Sequence, residues 1–242
     1  MKDIYFFVGS RDTQILIRDE VLEQMINDLY LSSMKLFAFQ KSVEQEITSY
    51  LSARYDTDII FKPVYNWSPD DTYSVGERIR FEYFNKVWNN TETFVNGQYV
   101  IENTGDKVKV YFVQNSPVAG TPVTDVTKFE FVSNYGDLFT AKTAVVAGTK
   151  VSNTTNWQIG DTRDPLIVRY FIDISIYELH CRVNPRNIPE HRLQRRDDAV
   201  KWLKMVSDPR NNINPNFPER TFDDKKGLDV SWNSNSKISH YY

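Results

Sequence analysis

Helical periodicity runs through the early part of this chain, vanishes across its middle and resumes near the end, and that interruption restricts the possible folds more than any other feature. Val21, Met25 and Leu29 recur every four positions beside Leu22 and Ile26, an apolar stripe on a helix that Asp19 can cap. After the break Leu31-Ser32-Ser33, a second stripe runs Phe39, Val43, Ile47, Tyr50 and Leu51, with Lys41, Glu44, Gln45 and Glu46 on the other side. Two amphipathic helices are therefore predicted within residues 19–55.

From about Asn66 to Asp161 the texture is Thr, Val, Tyr, Phe, Asn and Gly. Alternation appears in Lys107-Val108-Lys109-Val110-Tyr111-Phe112-Val113 and in Lys128-Phe129-Glu130-Phe131-Val132, each flanked by turn formers such as Asn103-Thr104-Gly105-Asp106 and Ser133-Asn134-Tyr135-Gly136-Asp137. Asn96-Gly97, between Phe94-Val95 and Tyr99-Val100-Ile101, has the chemistry of a two-residue hairpin turn. Short strands joined by tight turns predict a small sandwich or barrel.

Asp164-Pro165 restarts the helical texture, as an N-cap followed by the proline that a first turn tolerates. The stretch Leu166, Ile167, Val168, Tyr170, Phe171, Ile172, Ile174, Ile176, Tyr177, Leu179 is apolar almost all round, which predicts a central helix. Another helix is expected from Asn187-Ile188-Pro189 through Leu193, Ala199, Val200, Trp202, Leu203 and Val206, ending before Asp208-Pro209 and spanning roughly 28 Å. Because each outer helical stretch looks incomplete alone, the expected architecture is α+β. About four helices, from residues 1–65 and 162–207, form one domain; an all-β domain, residues 66–161, is inserted in it; residues 208–242 form an extended C-terminal arm. That arm is too polar to fold alone, yet Phe217, Phe222, Trp232, Tyr241 and Tyr242 are anchors suited to neighbouring subunits.

Charge and composition narrow the functions. With 29 basic against 32 acidic residues the net charge is -3, so no global field draws the chain to nucleic acid or an anionic membrane. No run of apolar residues is long enough to span a bilayer, and Met1-Lys2-Asp3 is not the start of a signal peptide. A lone Cys181 beside His180, with His191 and His240 far away in sequence, makes no metal-ligand pattern, and no metal or other cofactor is expected. The pairs Asp70-Asp71, Asp197-Asp198 and Asp223-Asp224 read as solvated charge. With no phosphate loop and no nucleophile motif, an enzyme is not expected.

Two sets of motifs carry resemblances. Glu46-Ile47-Thr48-Ser49-Tyr50-Leu51-Ser52-Ala53-Arg54-Tyr55, then Asp164-Pro165-Leu166, Asp173-Ile174-Ser175-Ile176-Tyr177-Glu178-Leu179 and Arg196-Asp197-Asp198-Ala199-Val200-Lys201-Trp202-Leu203, resemble the helices of head-tail connector (head-completion or adaptor) proteins of tailed bacteriophages. In carrying a long β insertion, the chain resembles the ring proteins of crAss-like phages. The resemblance implies a structural virion protein assembled in the host cytoplasm. It would form a homo-oligomeric ring, commonly twelvefold, below the portal at the head-tail junction, in contact with the portal and other connector or tail proteins. Genomic DNA would pass through without specific binding. The second set, Asn66-Trp67 through Tyr73-Ser74-Val75-Gly76 to Phe81, Leu138-Phe139-Thr140-Ala141, Ala147-Gly148-Thr149 and Asn156-Trp157, resembles small carbohydrate-binding modules found on phage virion proteins, with some fifty residues inserted and Phe139 in place of a Tyr.

The residues singled out follow from these readings. Trp67, Tyr73 and Trp157 are candidates for a sugar-stacking surface, against the plainer role of filling a β core. Arg182, Arg186, Arg192, Arg195 and Arg196 are candidates for intersubunit ion pairs, the forked guanidinium suiting carboxylates in packed interfaces. Trp232, Tyr241 and Tyr242 are candidate anchors of the arm. An adhesion module binding carbohydrate is the alternative to the connector ring.

Overall fold

The computed structural model describes residues 7–13, 33–105, 107–211, 213 and 215–221. The first predicted helix, around Val21 to Leu29, and the anchors Phe222, Trp232, Tyr241 and Tyr242 lie outside the described residues. A single turn, α1 (Ser10–Thr13), comes first, and the second predicted helix is found as α2 (Ser33–Leu51), followed by the turn α3 (Thr57–Ile60). In α2 the stripe Phe39, Val43, Ile47 and Leu51 is buried, as its spacing requires. Asp56 caps α3 by accepting from the backbone N–H groups of Asp58 and Ile59.

Among the described residues eight strands follow: β1 (Val64–Asn66), β2 (Arg78–Arg80), β3 (Lys86–Val87), β4 (Tyr99–Asn103), β5 (Val108–Val113), β6 (Phe129–Asn134), β7 (Leu138–Ala141) and β8 (Trp157–Ile159). They form two four-stranded mixed sheets, in the orders β1-β2-β7-β8 and β3-β4-β5-β6. Side chains of both sheets meet in one aromatic core that includes Trp67, Ile79, Phe81, Tyr99, Val110, Phe139 and Trp157. The second sheet is also covered on its other face, where Val100, Tyr111 and Val113 pack with Phe94, Val123 and Phe129. The alternation of Tyr99 with Val100 and of Val110 with Tyr111 between these cores is the period of two at work. The turn at Asn103-Thr104-Gly105 joins β4 to its antiparallel neighbour β5, with Gly105 in the left-handed region at φ 91°.

The turn at Asn96-Gly97 behaves differently from its sequence expectation. Gly97 does sit at φ 93°, but Phe94-Val95 is not a strand, and the Gly97 N–H donates to the carbonyl of Val113 rather than closing a hairpin. Phe94 is instead drawn into the outer core beside Phe129, because burying its ring outweighs local strand pairing.

Helix α4 (Pro165–Val183) begins where expected, with Asp164 accepting from the N–H groups of Leu166 and Ile167, and α5 (Glu190–Ser207) returns antiparallel to it. Four consecutive residues of α4, Phe171 to Ile174, are buried, and the helix packs on both α2 and α5. Phe39, Val43, Ile47, Leu51 and Tyr55 from the early stretch and Ile167, Phe171, Ile174, Ile176, Leu179, Ala199, Leu203 and Val206 from the late one share a single core. The fold is therefore α+β, with a helical core and two mixed sheets, and no described helix is long and apolar enough to cross a membrane.

The start of the C-terminal arm belongs to this body. Phe217 is buried edge-on against Tyr55 and Trp202, Glu219 forms an antiparallel bridge with Tyr55, and Arg220 donates from its backbone to Arg54 and from its side chain to Ser52. The expectation that the whole segment from Asp208 reaches to neighbouring subunits is corrected for this part. A phenyl ring that can be buried on its own body at no cost in translational freedom is held there first.

Candidate functional site

The aromatic candidates of the β domain are not a surface. Trp67, Tyr73 and Trp157 are 2%, 3% and 2% exposed. Trp67 is enclosed edge-to-face by Phe81, Tyr83 and Tyr99 at centroid distances of 5.1, 5.5 and 5.3 Å, and Tyr73 packs on Trp157 at 5.4 Å. Burial pushes the Tyr73 hydroxyl up to about 12 while it accepts from the Ser68 N–H. With both ring faces occupied, none of the three can stack on a sugar, and the stacking expectation is corrected: a domain this small needs its largest rings inside. Beside them lies a cleft of about 470 Å³ lined by Val132, Phe139, Lys142, Ser152, Trp157 and Gln158.

The arginine candidates divide. Arg196 reaches Glu46 at 3.3 Å and lies over the ring of Tyr177, and Arg182 lies over the ring of Phe39. Arg195 meets Asp173 at 3.4 Å. The helical pairing of α2, α4 and α5 thus supplies each of the three with a partner from within the chain, and the expectation of partners on another subunit alone is corrected; Arg182 and Arg195 keep exposed surface for a second partner. Arg186 is exposed, and Arg192 keeps a buried Nη1 without a hydrogen-bond partner among the described residues.

Around Asp173, itself 2% exposed in the middle of α4, three guanidiniums converge. Arg195 is at 3.4 Å and Arg169 at 3.8 Å, and Arg192 acts on the carboxylate through its charge. Burial raises the pKa of Asp173 in spite of all three. Burial, then the charges of Arg192 and His191, lower the pKa of His180, which favours its neutral imidazole.

A second constellation, absent from the sequence reading, sits where the β domain joins the helical body. The side chain of Arg163 is 1% exposed and pairs with Asp12 at 2.9 Å and Asp161 at 2.7 Å, while also donating to the carbonyl of Phe7. Arg80, from β2, meets the same Asp12 at 3.2 Å. One carboxylate thus ties α1, the β domain and the approach to α4 together. Burial opposes ionisation of Asp12, but the hydrogen bonds and charge of Arg163, with the Gly9 N–H and Arg80, hold its pKa below the usual carboxylate range. Burial likewise opposes the charge of Arg163, and the two carboxylates hold it charged. The run Asp161-Thr162-Arg163-Asp164 just before a capped helix was the available signal, but the partner Asp12 lies far away in sequence.

Beside this knot a hollow of about 300 Å³ opens, with Pro165, Val168 and Ile172 in its lining and Asp12, Asp161, Arg163 and Arg169 around them. Of the paired carboxylates, Asp70, Asp197 and Asp198 are exposed, and Asp223-Asp224 lies outside the described residues. Among the described residues no three His, Cys, Asp or Glu side chains are grouped as metal ligands. Comparison with protein families, curated proteins and solved structures yields no match to this chain.

Proposed function

We propose that this chain is a structural virion protein, the subunit of a head-to-tail connector ring beneath the portal of a tailed phage. One observation supports the reading most: the segments that carry the connector resemblance, far apart in sequence, pack into one helical core. Ile47, Leu51 and Tyr55 meet Ile174, Ile176, Leu179, Ala199 and Leu203 there, with the β domain as an insertion between them. A connector subunit needs such a body, with two different surfaces for its two neighbours in a closed ring. In this reading the β domain projects toward other tail or capsid components, and the channel passes genomic DNA without specific contacts.

The test is a reconstruction of the virion vertex, or of portal complexes incubated with the purified chain. The expected result is a closed ring of copies below the portal, twelve if the ring follows the portal's symmetry. Copies scattered elsewhere on the particle, or a monomer that never joins the vertex, would overturn it. Carbohydrate adhesion is the second reading, supported by the cleft along Phe139, Trp157 and Gln158 rather than by the buried ring faces. Glycan binding weakened by Gln158→Ala or Lys142→Ala would favour it.

A further inference from the structure

The hollow at the start of α4 and the guanidiniums gathered on Asp173 share one residue, Arg169. The apolar part of the hollow is Pro165, Val168 and the buried Ile172. Arg169 lines the hollow and approaches Asp173 at 3.8 Å. One turn further along α4, Arg195 reaches the same carboxylate with its side chain 39% exposed, and Arg192 adds a buried Nη1 with no hydrogen-bond partner among the described residues. One carboxylate against three guanidiniums leaves positive charge uncompensated at a partly buried place, where a second carboxylate would be favoured.

The chemistry asked of an occupant is therefore an apolar side chain followed closely by carboxylates. A phosphodiester backbone fits poorly, since it offers nothing apolar to Val168 and Ile172. In the whole sequence an aromatic residue is followed directly by two acids at one place, Phe222-Asp223-Asp224. It stands just after Thr221, where the described part of the arm ends. In extended chain three residues cover about 7–10 Å, and from Pro165 to Asp173 α4 rises about 12 Å, so the spacings are comparable.

We propose that the hollow lined by Pro165, Val168 and Ile172, with Arg169, Arg192 and Arg195 beyond it, is the receptor for Phe222-Asp223-Asp224 of a neighbouring copy of this chain. The phenyl ring enters the hollow and the carboxylates lie on the guanidiniums. This deepens the ring reading and rests on it only for the neighbour being another copy.

The receptor in the experiment is the full chain carrying Phe222→Ala, Asp223→Asn and Asp224→Asn, so that its own segment cannot compete. The probe is a fluorescent peptide of residues 221–228, which leaves out Phe217 and the residues its own body holds. Saturable binding is expected, weakened at least tenfold by Arg169→Glu with Arg195→Glu in the receptor, at least tenfold by Phe222→Ala in the peptide, and by added salt. Circular dichroism and unfolding curves establish that each receptor variant is folded. No binding, or binding indifferent to these changes, overturns the proposal, as does a DNA duplex that binds with the same arginine dependence where the peptide does not. Excess wild-type chain is expected to displace the peptide. If it displaces nothing, the segment is held within its own copy and the assignment to a neighbour fails. Peptide binding together with a virion vertex that lacks the chain would leave this receptor standing and remove the ring.

Discussion

At the scale of single residues, two carboxylates with opposite responses to pH carry the sharpest expectations. Asp12 has a folded pKa below its ordinary value, so its contribution is fully present above about pH 4 and is lost as pH falls through the lowered value. Asp173 has a raised folded pKa, so the native state holds its proton more tightly; stability is reduced above that raised value and recovers as pH falls toward the ordinary one. Urea unfolding across acidic pH should therefore show Asp12→Asn removing part of the acid-induced loss, and Asp173→Asn making it steeper. Arg163→Ala takes the guanidinium partner from Asp161 and leaves Asp12 with Arg80 alone, at a side chain that is 1% exposed, and should cost about 3 kcal/mol in the same measurement. The partly buried pair Glu46 with Arg196 should contribute about 1 kcal/mol in a double-mutant cycle. Asp173 was visible in the sequence as an acid inside an apolar helix, and it could have been marked as needing a partner. Arg195 could not be chosen among five arginines without the packing of α5 on α4.

At the scale of elements, what local chemistry controls was legible. The cap Asp164 with Pro165 announced α4, and the apolar period announced α2 and α5. Asp164→Ala should cost about 1 kcal/mol by thermal unfolding, because two N–H groups of the first turn lose their acceptor. Where pairing is non-local the sequence was less informative. Asn96-Gly97 has the composition of a hairpin and the backbone of a tight turn, yet the N–H of Gly97 is taken by Val113 and Phe94 goes to a core. The three aromatic candidates of the β domain illustrate the same limit: a Trp on a strand reads alike whether its face is open or covered. Trp157→Ala should cost about 3–5 kcal/mol, the signature of a core ring, and a change confined to glycan binding with stability intact would contradict its burial.

At the scale of the whole molecule, the helical body closes only when the end of the chain returns to it. Phe217 is 8% exposed against Tyr55 and Trp202, so removing residues 208–242 takes away part of the core as well as the arm. Truncation after Thr221 should leave the melting temperature nearly unchanged, whereas Phe217→Ala in the full chain should cost about 3 kcal/mol or more. The shorter truncation is then the clean probe of assembly: a folded monomer that no longer joins portal complexes in electron micrographs is the expected result, and normal rings would show the arm to be dispensable.

The order of helical and β segments in the described residues, the Asp164 cap, and the buried stripe of α2 could be read from residue order, because they depend on neighbours three or four positions away or on alternation along one strand. Which charges meet, which rings are covered, and where the arm lies depended on contacts between residues far apart in sequence. Asp12 and Arg163, Glu46 and Arg196, and Tyr55 and Phe217 become neighbours only when the early and late stretches fold together. The free energy of such contacts comes from removing both partners from water together, and no local pattern of residue types records which pairs those will be.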